Sequence, residues 1–417
     1  MTRLTRASGE GARAEAAAGA RPAAVELVRG LSLLGTVALV VGNMVGTSIY
    51  TLPASLAKVA GPYGLVAWAF VAAGYLFVAL VYARLGTRFP RTGGPYVYAR
   101  AAFGDFPGFV TVWSYWVSTI IGNAAIVTGA VGYITGFSSA LEASPPLRFF
   151  LALALVWGLC LINVIGVRQS SRVQTTVMFL NLVPLVLVAL ASLAYFDPAN
   201  LHPFMPNGAS SIAGGAALVV WAYSGVESAT VPAEEVQSPE RTIRRGTMIG
   251  YWVGTGVFLL TALAVAGSLP NTTVAGSARP IALAAERALG PWAGAVVGLA
   301  AIAAALGTLN GWILMSGRIP LSAAEDGLFF RPLAAIHPRF RTPAVGLVVG
   351  AVVTSAMLTL YFSQTLLEVF DFVVLLAVLT TLLPHLLAAA AEFALAGRAP
   401  GSAAARMVAA IAFVFVL

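Results

Sequence analysis

The apolar run 221-WAYSGVESATVPAEE-235 holds a glutamate, Glu227, between Gly225 and Pro232. A carboxylate at the centre of a membrane helix costs about 2.5–3.5 kcal/mol on insertion scales. The glycine and the proline both weaken the helix that would carry it. A second run, 40-VVGNMVGTSIYTLPASLA-57, gathers Gly42, Asn43, Gly46, Thr47, Ser48 and Pro53 at its middle. Small polar side chains compete for backbone hydrogen bonds, so both runs are expected to unwind. Unwound backbone at membrane depth frees N–H donors and C=O acceptors, and it is tolerated only where protein or a wet cavity satisfies them. The chemistry on offer is therefore binding. A glycine-rich packing face is the alternative reading, but a packing face has no use for the glutamate. Bond-making chemistry has little to work with: His202, His337 and His385 are scattered, with no HExxH pair. Cys160 is the one cysteine and lies in an apolar run, where it reads as a small buried hydrophobe. No metal set and no cofactor motif is found.

The elements that carry these residues follow from composition. The chain has 417 residues, 59% hydrophobic and 10% charged, too little charge to cover a water-soluble surface. Apolar spans fall at about 31–59, 63–84, 107–136, 149–167, 173–195, 212–236, 246–268, 289–316, 343–362 and 366–391. An eleventh begins near 404 and meets the end of the sequence at Leu417 in mid-helix. This is an all-α integral membrane bundle. Residues 1–30, rich in Ala, Gly and Arg with no apolar core, read as a disordered cytoplasmic tail, and not as a signal peptide. With the N-terminus in the cytoplasm, the outside holds Lys58, Arg148, Arg279 and Arg287, and the inside holds the other 20 of the 24 basic residues. That bias fixes the orientation. It also explains the net charge of +8, which faces the anionic inner leaflet and calls for no nucleic-acid partner.

The two interrupted spans are the first and the sixth. Five spans separate their starts, so the copies run in opposite directions. That is an inverted repeat of five helices plus five, over 31–196 and 197–392, with a binding site where the breaks meet. Residues 393–417 form a cytoplasmic loop and the start of the eleventh helix.

The stretches 42-GNMVGTSIYTLPASLA-57, 93-GGPYVYARAAFG-104, 221-WAYSGVESA-229 and 234-EEVQSPERTIRRG-246 resemble the amino acid–polyamine–organocation transporters. Within that superfamily, 115-YWVSTIIGNAAIV-127, 306-LGTLNGWILMSG-317 and 323-AAEDGLFF-330 are most similar to the arginine/agmatine antiporter and its putrescine/ornithine and lysine/cadaverine relatives. The resemblance runs from about residue 31 to the end and implies a LeuT-type fold with twelve helices. The end of the eleventh and the twelfth are then expected to be missing here. It further implies a transporter of the bacterial inner membrane, with dimers common among close relatives and no cofactor.

The resemblance also implies roles for particular residues. The amides of Gly46, Thr47 and Ser48, with the two hydroxyls, would take a ligand carboxylate at a helix N-terminus, and Asn43 would be a further substrate-binding residue. The family's Gly-Ser-Gly is Gly-Thr-Ser here, which leaves less room for backbone approach. Carbonyls of Trp221, Ala222 and Ser224 would take the α-ammonium. Trp221 and Trp312 would enclose a cationic side chain, each indole contributing about 0.5–2 kcal/mol. Asn123 would add a hydrogen bond and Ile126 an apolar wall; an interhelical hydrogen bond is the other reading of Asn123. Tyr115 and Glu227 would form a gate beyond Trp221. The third gate position is usually tyrosine and is His385 here, so a Glu227–His385 hydrogen bond and pH-dependent transport are expected. Glu234, Glu235 and Arg241 are either an inner gate or a solvated charge run. The run 372-FVVLLAVLT-380 is apolar where the antiporter offers serines, which weakens arginine specifically and leaves lysine, ornithine, diamines or neutral amino acids open. The readings carried forward are exchange of a cationic amino acid for its amine, a neutral amino acid permease or exporter, and a transport-inactive sensor.

Overall fold

The computed structural model describes residues 26–362, 367–397 and 402–417, and of 367–379 only the backbone. The first 25 residues of the expected tail, and the side chains of 372–379, lie outside the described residues. In chain order the helices are α1 (Leu33–Met44), α2 (Ser48–Val59), α3 (Gly64–Arg88), α4 (Pro95–Phe103), α5 (Asp105–Thr135), α6 (Ser139–Ala143), α7 (Pro145–Ile165) and α8 (Val167–Leu193). They continue as α9 (Ser211–Ala222), α10 (Pro239–Ser268), α11 (Asn271–Gly276), α12 (Pro280–Leu289), α13 (Trp292–Glu325), α14 (Ala344–Phe362), α15 (Leu367–Leu395) and α16 (Ser402–Val416). No strand is present among the described residues; the one bridge joins Leu31 to Val236. Eight helical segments have the length and hydropathy to cross a bilayer, and α9, α16 and the described end of α15 are shorter apolar helices. The molecule is an integral membrane protein.

Local chemistry sets where these helices start. Ser32 caps α1 by accepting from the Gly35 N–H at 3.2 Å, and Ser144 caps α7 with Pro145 at its first position. Two helices form the framework around the broken spans. α13 packs against α5 and α8, and α10 packs against α1 and α3. α1 also packs against α8 and α13, so the first span is enclosed on several sides.

The first span stops at Met44 and restarts at Ser48. The sixth breaks more severely than expected. After Ala222 it winds only in i→i+3 turns: the amides of Val226, Ser228 and Thr230 donate to the carbonyls of Tyr223, Gly225 and Glu227 at 3.3, 3.0 and 2.8 Å. Gly225 at φ +111° and Pro232, which has no N–H, together prevent an α-helical second half. The eighth span runs further than the hydropathy suggested. α13 continues through Arg318 to Glu325 because Arg318 is buried and paired with Glu235, not exposed to the cytoplasm.

Candidate functional site

The breaks of the first and sixth spans touch. Asn43 Nδ2 donates to Ser228 Oγ at 2.8 Å, both side chains buried. A Cβ placed on Gly225 would lie 2.7 Å from Asn43 Cβ and 2.9 Å from the Asn43 carbonyl carbon. Glycine is required there by its φ and by this backbone-to-backbone approach. Gly311 of α13 closes the same junction, since a Cβ on it would meet Asn43 Oδ1 at 2.0 Å. Asn43 Oδ1 itself is buried without a hydrogen-bond donor.

A narrow cavity of about 40 Å³ opens beside this junction. Asn43, Gly46, Thr47 and Ser48 line it from the first span, Trp221 and Ser224 from the sixth, Ile126 from α5 and Trp312 from α13. Thr47 caps α2 with no side-chain hydrogen bond to its first turn, and the Tyr50 amide donates to the Thr47 carbonyl at 3.1 Å. Two expected residues stand outside the wall. Ala222 and Asn123 are buried and do not line the cavity, and Asn123 Oδ1 has no partner. Ser118, Thr119, Thr308 and Thr381 do line it and were not expected. Ser118 and Thr119 fall within a stretch singled out for its resemblance, one turn before Gly122, and helical spacing from Ile126 would have found them. Thr308 is fixed by α13 approaching so closely that a Cβ on Gly46 would sit 2.1 Å from its Oγ1.

Glu227 is fully buried, with both oxygens engaged. Oε1 accepts from the Tyr115 hydroxyl at 2.7 Å and Oε2 from the Gly225 amide at 3.0 Å. The first bond ties the broken sixth span to α5; the second holds the turn at Gly225. Hydrogen bonds of this kind offset the cost of burying the carboxylate. Tyr115 also meets Trp312 edge-on, with ring centroids 6.4 Å apart. The expected Glu227–His385 hydrogen bond is not formed. The two side chains are 3.9 Å apart at His385 Nε2, beyond hydrogen-bond range. Tyr82 takes the other nitrogen, with its hydroxyl 2.8 Å from Nδ1, while Tyr115 and Gly225 already occupy the carboxylate.

Asn181 of α8 joins the two halves of the first span. Its Nδ2 donates to the Val45 carbonyl at 2.9 Å and its Oδ1 accepts from the Tyr50 hydroxyl at 2.6 Å. Neither bond was legible in the sequence, because Asn181 lies in an otherwise ordinary apolar span.

The two ends of the bundle differ. On the face bearing Arg279 and Glu286, a wide cavity of about 840 Å³ reaches Thr47, between Tyr50, Tyr133 and the ends of α5, α12 and α13. On the opposite face the chain is shut. Arg318 and Glu235 are fully buried and form a two-pronged ion pair, with Nη2 to Oε1 at 2.8 Å and Nε bonded to Oε2. Glu235 thus pairs with Arg318; Glu234 and Arg241, the other members of the charge run, are exposed. Beyond it, Asp326 accepts from Arg91 at 2.9 Å and Tyr96 at 2.8 Å, and pairs with Arg100 at 2.5 Å. Partial burial works against the Asp326 carboxylate, but the bonds from Arg91 and Tyr96 and the charges of Arg91 and Arg100 hold its pKa below the ordinary aspartate value.

Two interrupted spans meeting at one cavity, inside a bundle of this helix order, define a LeuT-type membrane fold. The fold is shared with MhsT, solved in complex with L-phenylalanine, at a TM-score of 0.62 and 16% identity over 94% of this chain and 100% of that one. The chain belongs to the amino acid permease family, whose profile matches residues 31–417. Its relatives are transporters. A Bacillus subtilis (strain 168) protein assigned as an arginine/ornithine antiporter is 32% identical over 84% of this chain and 81% of its own length. The cadaverine/lysine antiporter of Escherichia coli K12 is 32% identical over 85% and 81%. The putrescine transporter PotE of the same strain is 28% identical over 84% and 80%.

Proposed function

We propose that this chain exchanges a cationic amino acid, lysine, ornithine or arginine, for its decarboxylated amine by alternating access across the bacterial cytoplasmic membrane, with the N-terminus cytoplasmic. The observation that carries the reading is the junction of the two breaks at Asn43, Gly225 and Ser228, beside a cavity walled by Trp221 and Trp312. The pairs named for the relatives, lysine with cadaverine and arginine with ornithine, support the substrate class. The distribution of the 24 basic residues supports the orientation.

The ligand carboxylate binds at the first-turn amides of α2, with Thr47 and Ser48 hydroxyls beside it. The α-ammonium takes the carbonyls freed after Trp221. The side-chain cation lies against the indoles of Trp221 and Trp312. Tyr115 with Glu227 closes over it, and His385 stands ready to pair with Glu227 when the turn at Gly225 moves. The repeats over 31–196 and 197–392 rock about this point. With the Arg279 face outside, the structure is the outward-facing state, and the Arg318–Glu235 pair is the inner gate that must part.

A second reading, a neutral amino acid permease, is favoured by one feature: among the described residues, no acidic side chain lines the central cavity. A thermal-shift screen in detergent separates the two. Lysine, ornithine, arginine and their amines should stabilise the protein, and leucine and phenylalanine should not. The reverse ranking overturns the proposal in favour of the neutral permease.

A further inference from the structure

We propose that an anionic phospholipid headgroup binds in a basic pocket where the first and fifth spans enter the membrane, at the cytoplasmic leaflet in the orientation proposed above. The cavity there measures about 450 Å³ and is lined by Ser32 at the cap of α1, by Arg168, Ser171, Arg172 and Thr175 on α8, and by Gln237. Arg168 and Arg172 stand one turn apart on the same face. Neither has an ion-pair partner among the described residues, although Arg84, Arg91, Arg100, Arg279 and Arg318 all do. Two unpaired guanidiniums with hydroxyl donors between them match a phosphate diester, which accepts on two oxygens and carries one negative charge.

A further observation favours a lipid over a free anion. Above the arginines the same stripe of α8 turns apolar and outward, with Phe179, Leu180 and Val183 about half exposed, and Leu34 of α1 exposed beside the pocket. A headgroup at the arginines would lay its acyl chains along that stripe. Basic pockets between membrane helices at the cytoplasmic surface are suited to this. The packing ties the pocket to the moving parts: a Cβ on Gly35 would meet Ser171 Oγ at 2.2 Å, so α1 and α8 sit nearly backbone to side chain at the pocket floor. A bound phosphate would bridge the start of the broken first span to the fifth.

The test is binding of short-chain phosphatidylglycerol to the full purified chain in detergent, with thermal unfolding in phosphatidylcholine nanodiscs with and without phosphatidylglycerol. At about fivefold per arginine, Arg168→Gln/Arg172→Gln should weaken phosphatidylglycerol about 30-fold and abolish its stabilising effect. Arg244→Gln/Arg245→Gln, which removes the same charge from an exposed site on α10, should change neither. Arg168→Lys/Arg172→Lys keeps the charge and should keep binding, which guards against misfolding of the glutamine variant. The site is overturned if the pocket variant binds as wild type does, or if the α10 control loses binding equally. Stabilisation by inorganic phosphate as strong as by the lipid would overturn the lipid assignment. None of these readouts requires transport.

Discussion

Gly225→Ala should damage the site without replacing any side chain that binds. Two costs add. The φ of +111° is a conformation that costs a residue with a Cβ on the order of 1–3 kcal/mol. The new methyl would also lie 2.7 Å from Asn43 Cβ and 2.9 Å from the Asn43 carbonyl carbon, about 1 Å inside ordinary carbon contact. Neither atom can rotate away, since one is backbone and the other is fixed to it. The breaks must separate, at about 1–3 kcal/mol for overpacking. If about 3 kcal/mol of the total is expressed at the junction, ligand affinity falls about 150-fold. The comparison is Gly256→Ala on α10, where a Cβ meets nothing within 4 Å and the substitution should be neutral or mildly stabilising. Lysine affinity by calorimetry, with thermal unfolding of the unliganded protein, reads both effects. If Gly225→Ala binds lysine within about threefold of wild type (under 1 kcal/mol), the junction does not organise the site and the reasoning fails.

Other perturbations follow from the same contacts. Arg318→Met should destabilise by about 3–5 kcal/mol, because it leaves Glu235 buried and unpaired. Glu235→Leu/Arg318→Met should recover much of that in a double-mutant cycle while leaving the inner face leaky to substrate. Asn181→Ala removes the bonds to Val45 and Tyr50 and should cost about 2–6 kcal/mol, at 1–3 for each buried group left unsatisfied; uptake kinetics should show raised KM, and an unchanged KM would count against a positioning role. Glu227→Gln keeps an acceptor for Tyr115 but sets an amide N–H against the Gly225 N–H that Glu227 Oε2 now accepts from, so lysine affinity should fall by about 1–3 kcal/mol; unchanged affinity removes the gate pair from the mechanism. The depressed pKa of Asp326 means its pairing contributes above the unfolded value near 4 and is lost only as pH falls below that. Asp326→Asn should therefore lower thermal stability by similar amounts at pH 5 and pH 8, and a loss confined to pH 8 would contradict the assignment.

The helix order was legible because a bilayer imposes a period on the sequence that hydropathy reads directly. The breaks were legible because Gly46, Gly225 and Pro232 are residues that weaken a helix; Gly42 and Pro53, counted with them in the sequence, lie inside α1 and α2. What could not be read was pairing. Arg318 looked like the cytoplasmic end of the eighth span because an arginine in hydrocarbon is costly; only the approach of Glu235, 83 residues away, makes its burial affordable. Glu227 looked free to bond His385, yet a neighbouring amide at Gly225 and the Tyr115 hydroxyl reached it first. Asn123 and Ala222 lie beside residues that do line the cavity, and their side-chain direction depends on helix rotation that spacing alone leaves open. Thr308 gives no local signal, since its place is set by Gly46 in the break of the first span.

The exchange claim itself is tested most directly in proteoliposomes. Uptake of labelled lysine is measured into vesicles loaded with cadaverine and into empty vesicles of the same lipid. Faster entry against internal cadaverine, with cadaverine released one for one, is the expected result. Equal initial rates in the two preparations would mean that the carrier returns empty as readily as loaded, and antiport would have to be abandoned.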